Sequence, residues 1–345
     1  MSGSVAVTKD SFDAALLPGI RERLAQAYRS LRQSEKDVFL SVLDDNGVFR
    51  EGVAHIRDCP LCQTSSQHAA LMYNVHGMHI VRCRQCNFVY SREVINRDTE
   101  ASRYRKSDAM QAHMALHTNG TYAELELAKA RYIVASLRAF VGGERVSFLD
   151  IGSSTGSLLE AAGEADWRPL GIELNRIAVG IARARGFEVV EGCFPEDFSA
   201  RSGEFGVITM LDVLEHAEEP VKFLRSVSDR LAPGGLLAVQ VPNFNSLLIQ
   251  IEGTKNNNIC HGHWSYFVSE TLNKVAEKAG FRVLSVETII SEIDRIRAYS
   301  TRTVLETARL LTGTEVEFAE IDHHWLHKQM LGYKLFGIFL KDHNQ

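Results

Sequence analysis

Two acids and a loop of small residues stand at a spacing that can hold a nucleoside. Asp150 precedes Gly152-Ser153-Ser154-Thr155-Gly156, and Glu173 follows 21 residues after Gly152. Glycines let main chain approach a ligand closely, and an acid ending a second strand accepts hydrogen bonds from ribose hydroxyls. A dinucleotide site uses Gly-x-Gly-x-x-Gly to seat a pyrophosphate on a helix N-terminus. Here the spacing is Gly-x-x-x-Gly, and the charge of Asp150 repels phosphate but suits a ligand with an amino group.

Two further groups carry side chains able to move protons. Thr209-Met210-Leu211-Asp212 ends an apolar run and is followed by Val213-Leu214-Glu215-His216. In an open α/β sheet this is the ligand-binding edge. Histidine titrates near neutrality and suits proton removal, and a neighbouring carboxylate can orient the ring or bind substrate. The second group is His261-Gly-His263-Trp264-Ser-Tyr266-Phe267, read as a pocket wall; no third metal ligand adjoins its two histidines in sequence.

Cys59-Pro-Leu-Cys62 and Cys83-Arg-Gln-Cys86 are separated by 20 residues. Two such turns place four thiolates around one ion, so Cys59, Cys62, Cys83 and Cys86 are expected to hold structural zinc. A closed site of this kind has no open coordination position and is assigned no catalysis. Cys193 and Cys260 stand alone and read as small buried hydrophobes.

The elements that must position these residues follow from periodicity. Short strands are expected at 146–151, 168–173, 187–191, 205–211 and 235–241, with helices between them, which argues a mostly parallel sheet. A helix is expected from Thr121 to Val141, ended by Gly142-Gly143, and another from Pro220 to Leu231. Val268 to Lys278 reads as helix and Phe281 to Glu287 as strand. Pro18 opens a further helical pattern through Ile20, Leu24, Ala27 and Leu31, continued in apolar content by Val38, Phe39, Val42 and Leu43. The expected division is a helical arm at 1–50, a zinc-binding domain at 51–95, a ligand-binding α/β domain at 96–290 and a helical extension at 291–345.

Composition sets the bounds. The chain has 345 residues, 45% hydrophobic and 23% charged, which suits about two globular domains. The net charge of −5 disfavours non-specific nucleic-acid binding. No run is apolar enough to span a bilayer and no secretory signal opens the sequence, so a cytoplasmic location is expected.

The loop at Leu149–Gly156 resembles motif I of the class I S-adenosylmethionine (SAM) methyltransferases. Together with Val213-Leu-Glu-His216, Leu231-Ala-Pro-Gly-Gly235, Val241-Pro-Asn243, His263-Trp-Ser-Tyr-Phe267 and Ala279-Gly-Phe281, it is similar to a group that includes the ubiquinone-biosynthesis O-methyltransferases. The resemblance implies a Rossmann-like fold. It implies cofactor contacts from Asp150, Gly152, Ser153, Ser154, Gly156, Glu173 and Leu174. Cys193 and Phe194 would lie near adenine, and Met210 and Leu211 at the fourth strand's end.

The cysteine pairs followed by Phe88-Val-Tyr90 resemble the zinc domain of bacterial sugar C-methyltransferases. That likeness implies a sugar or sugar-nucleotide acceptor, His216 as the base, and Glu215 and Tyr90 at the substrate; His263, from the aromatic pocket wall, is a further catalytic candidate. Two features depart from that family: 58 residues precede Cys59, and the segment after residue 290 is too short for its second α/β domain. The other readings are an rRNA or other nucleic-acid methyltransferase with a zinc recognition domain, and an inactive zinc-stapled scaffold. The acceptor atom is open between carbon and oxygen. The assembly state is open too, with a homo-oligomer among the options.

Overall fold

The computed structural model describes residues 8–17, 40–96, 99, 120–141, 145–199 and 203–342. The helix expected from Pro18 and the Gly142-Gly143 stop lie outside the described residues. Strands in chain order are β1 (Ala54–Ile56), β2 (Ala70–Val75), β3 (Met78–Arg82), β4 (Val89–Ser91), β5 (Glu93–Ile95), β6 (Ser147–Ile151), β7 (Arg168–Glu173), β8 (Val189–Glu191), β9 (Phe205–Leu211), β10 (Leu231–Pro242), β11 (Ser265–Tyr266), β12 (Phe281–Ile289) and β13 (Lys334–Lys341). Helices are α1 (Gly120–Arg138), α2 (Ser157–Glu164), α3 (Arg176–Ala184), α4 (Pro220–Arg230), α5 (Leu247–Glu252), α6 (Ser269–Lys278), α7 (Ile293–Arg297), α8 (Thr301–Thr312) and α9 (His323–Lys328).

Seven strands form one sheet in the order β12-β13-β10-β9-β6-β7-β8. From β10 to β8 all neighbours are parallel, while β13 runs antiparallel between β10 and β12. Strand order reverses between β6 and β9, which opens a crevice at their carboxyl ends. The central strands read as near-continuous apolar runs because both faces are covered. Phe148 and Val207 pack with Ile133, Leu137, Leu159 and Ala182 of α1–α3. Their neighbours Leu149 and Ile208 pack on the other face with Leu224 of α4 and Leu272 and Val275 of α6. Gly206 belongs to this tight centre, since a Cβ there would meet a Val146 methyl at 2.7 Å.

The cysteine-bearing lobe joins that second face. Cys59, Leu61, Val81, Cys83, Phe88 and Tyr90 share one core with Ile151, Met210 and Phe267. Its antiparallel sheet has the order β11-β4-β3-β2, so β11, from the segment between β10 and β12, completes a sheet begun at Ala70, far earlier in the chain.

One expectation is corrected. The segment 291–345 is not wholly helical: after α7, α8 and α9 it ends in β13, which fills the slot between β10 and β12. The cause is local composition. Leu335-Phe-Gly-Ile-Phe-Leu340 is an apolar run with no polar face for a helix, and it is buried on both sides.

Candidate active site

The crevice begins where β6 ends. Gly152 (φ 78°) and Gly156 (φ 93°) take left-handed conformations that other residues adopt at a cost, and a Cβ on either would lie 2.7 Å from Val213 or Phe187. The loop they bracket is tied to the next strand: the N–H of Ser154 donates to Glu173 Oε2 at 2.9 Å, and that of Asn175 to Oε1 at 2.6 Å. Each carboxylate oxygen keeps a lone pair for a further donor. Burial raises the pKa of Glu173, against the lowering effect of these N–H groups. The hydroxyls of Ser153 and Ser154 have no hydrogen-bond partner.

Asp150 is buried and accepts from Thr209 Oγ1 at 2.7 Å. Burial pushes its carboxyl up to about 7, with Glu173 adding repulsion. Leu174 and Ile177 stand exposed beside the loop, an apolar surface where a base can lie. Cys193 lies at the edge, its N–H donating to Asp197 Oδ2 at 2.8 Å. Phe194 instead turns inward, its ring 5.8 Å from Phe198 and 5.6 Å from Phe223. Met210 is fully buried, so it offers a ligand only main chain, and Leu211 is half-buried.

The second half of the site stands on the 3-10 turn Leu214–His216, just past β9. His216 Nδ1 lies 2.7 Å from the carbonyl of Gly262, and His263 Nδ1 lies 3.0 Å from that of Asn258. A carbonyl accepts only, so each Nδ1 carries the proton and each Nε2 keeps its lone pair. The two rings meet edge to face with centres 4.8 Å apart. His216 is exposed, and the nearby protein, by displacing water from its ring, lowers its pKa. His263 lies well below the ordinary range, through burial first and His216 second.

Glu215 is buried, and both its oxygens lack a partner. Burial, with repulsion from Asp212, pushes its carboxyl up to about 8. In its protonated form it can donate a hydrogen bond. Donor atoms of Glu215, His216 and His263 all lie within 4.8 Å of one another, so the third neighbour that sequence did not supply for His263 comes from across the fold. His261 does not join them; its Nε2 is 2.7 Å from the carbonyl of His76.

Three polar side chains beside this turn, Asp212, Gln240 and Lys334, were given no role of their own from sequence. Asp212, at φ 55°, accepts from Lys334 Nζ and from Gln240 Nε2, each at 2.8 Å. Burial alone would raise the Asp212 pKa, but the Lys334 charge holds it down. Lys334 opens β13, paired with Pro242 and Ile289, and so stands at the sheet's carboxyl edge. Burial works against its charge, yet Asp212 and Glu215 raise its pKa.

A family model described as a methyltransferase domain matches residues 122–286. With a seven-stranded sheet carrying one reversed strand next to its edge, the match decides the class. Residues 122–286 are a class I SAM methyltransferase domain. The C-methyltransferase NovU of Streptomyces niveus is 29% identical over 218 residues, which cover 61% of this chain and 48% of that protein. A ubiquinone biosynthesis O-methyltransferase of Aromatoleum aromaticum is 31% identical over 125 residues, 34% of this chain and 53% of that one. The chain thus spans about half the length of the curated relatives it matches. A solved SAM-dependent methyltransferase from Archaeoglobus fulgidus is 18% identical with a TM-score of 0.44, covering 62% of this chain and 94% of that one.

Beside the methyltransferase domain, the four cysteines converge. Cys59 and Cys86 Sγ are 3.6 Å apart, and Cys62 and Cys83 Sγ are 3.5 Å apart. These separations match the edge of a tetrahedron with zinc–sulfur bonds of about 2.3 Å. Both turns share one geometry. The residue after each, Gln63 or Asn87, is left-handed and donates its N–H to the first cysteine's carbonyl. Tyr90 is fully buried, its hydroxyl without a partner, and it pairs with Ser265 where the lobe meets the methyltransferase domain.

Proposed function

We propose that the chain is a SAM-dependent methyltransferase acting on a small-molecule acceptor, a sugar or sugar nucleotide, with zinc held by Cys59, Cys62, Cys83 and Cys86. The observation that carries the reading is the pair of imidazoles with unprotonated Nε2 beside a partnerless Glu215, one turn from the nucleoside crevice. The crevice fits SAM: Glu173 for ribose, Asp150 for the amino-acid end, and exposed Leu174 against adenine. SAM, when bound, supplies an electrophilic methyl on a sulfonium. Zinc, when bound, supplies rigidity to the lobe and no step.

The residues would then divide the work. His216 Nε2 takes the proton from the acceptor's carbon or oxygen, and its Nδ1–H stays on the Gly262 carbonyl to fix the ring. Its lowered pKa keeps it neutral and ready at neutral pH. Glu215, protonated, donates to an acceptor oxygen, and Lys334 offsets negative charge that develops there. Tyr90 and Ser265, paired across β4 and β11, carry buried hydroxyls without partners at the junction of the two lobes, a lining suited to a polyhydroxylated acceptor. The relative named a C-methyltransferase supports carbon as acceptor, and those named ubiquinone O-methyltransferases support oxygen.

The test is a panel of sugar nucleotides, free sugars and phenols, read by release of S-adenosylhomocysteine. Turnover on a sugar nucleotide, lowered at least about 100-fold by His216→Ala, is expected. Undiminished turnover in that variant contradicts the base, and turnover on phenols alone contradicts the acceptor class.

A further inference from the structure

Arg57 lies two residues before the first knuckle cysteine. Its Nε donates to the carbonyl of Ser91 at 3.0 Å, its Nη1 to that of Glu218 and its Nη2 to that of Trp264. These carbonyls belong to three segments. Ser91 ends β4 of the cysteine lobe, Glu218 follows the Leu214–His216 turn, and Trp264 follows His263. The Trp264 carbonyl also accepts from the Ser91 N–H at 2.9 Å, and the Trp264 N–H donates to the Glu215 carbonyl at 2.8 Å. The guanidinium carbon stands 5.5 Å from the centre of the Tyr90 ring. A second tie runs alongside, from His55 Nε2 to Glu218 Oε1 at 2.6 Å.

Reaching three carbonyls at once needs a planar fork of donors; the compact ammonium of a lysine does not span them. A guanidinium stays charged at neutral pH. A cation desolvated against carbonyls is costly to keep unless its geometry is complete. The fork thus serves alignment more than attraction. Its own backbone is fixed by the lobe, where the Arg57 N–H donates to the Arg92 carbonyl at 2.9 Å.

We propose that Arg57 is a positioning residue: it holds the two segments bearing Glu215, His216 and His263 against the cysteine lobe, and so sets the geometry of the acceptor site. The inference rests on the zinc reading only in that the lobe is metal-loaded. Metal content, measured on the same samples, separates a failure of that reading from a failure of this one.

The experiment uses full-length, zinc-loaded protein and needs no acceptor. Hydrogen exchange is followed by peptide mass spectrometry in wild type, Arg57→Ala and Arg57→Lys, with S-adenosylhomocysteine affinity by calorimetry. In Arg57→Ala we expect unchanged zinc content and cofactor affinity, and exchange about tenfold faster in 213–218 and 262–266 with 70–82 unchanged. Millimolar guanidinium should restore the slow exchange, and Arg57→Lys should behave like Arg57→Ala. Wild-type exchange in both segments of Arg57→Ala overturns the proposal. So does full protection in Arg57→Lys, or loosening that comes only with zinc loss and exchange across 70–82.

Discussion

A carboxyl group with no hydrogen-bond partner, in a fully packed position, is an expensive residue, and Glu215 is one. Its folded-state pKa of about 8 stands above the unfolded carboxyl value, so the native state holds a proton that the unfolded chain gives up. The stability linked to this group is therefore full below about pH 4, declines as pH rises, and levels off above about 8. Glu215→Gln removes the decline. Its melting temperature relative to wild type should rise steadily between pH 5 and pH 8 and change little beyond, while turnover falls. A difference independent of pH would mean that the carboxyl is already paired. Asp150 shows the same environment in milder form, pushed up to about 7. A ligand with an ammonium group favours its ionised state, so S-adenosylhomocysteine should bind more tightly at pH 8 than at pH 6. Calorimetry at both values checks this, and Asp150→Asn should flatten the difference.

Among the elements, β13 carries the most consequence for its length. It brings Lys334 to the carboxyl edge, where the ammonium and the Gln240 amide hold Asp212 in a left-handed conformation. Lys334→Met leaves Asp212 without its cation. Because the Asp212 side chain is 38% exposed, the cost should be about 2 kcal/mol, below that of breaking a fully buried pair. Denaturant melts should show Asp212→Asn in the same chain recovering part of it; a strictly additive double variant would contradict the pairing. The alternation of strands and helices from β6 to α6 was legible in the sequence because the strand runs are apolar and their turns carry glycine, except that no helix stands between β8 and β9 among the described residues. The two cysteine turns were legible because their spacing is itself the signal. β13 was not, since a single apolar run far from its partners does not distinguish helix from strand. Nor was the approach of His263 to His216, which depends on β11 joining the cysteine lobe across the chain. Arg57, too, looks like any surface arginine until the three carbonyls it reaches are folded around it.

At the scale of the molecule, the cysteine lobe is not an appendage. Its knuckle residues share a core with Leu149, Ile208 and Phe267, and Lys278 of α6 donates to the carbonyl of Leu61 at 2.9 Å. If the four cysteines hold zinc as proposed, removing it with a chelator should therefore lower one cooperative unfolding transition as a whole. A separate early step for the lobe, with the remaining transition unmoved, would show the two units to be energetically independent. Zinc binding in small knuckle peptides is worth on the order of 10 kcal/mol, enough for its loss to reach the sheet. No helix among the described residues is long and apolar enough to cross a membrane. The central claim is that the crevice between β6 and β9 holds SAM through Glu173, and titration calorimetry with S-adenosylhomocysteine tests it most directly. One molecule should bind per chain, and Glu173→Ala should weaken binding at least about tenfold by removing the ribose acceptors. No heat of binding in the wild type, or equal affinity in the variant, would contradict it.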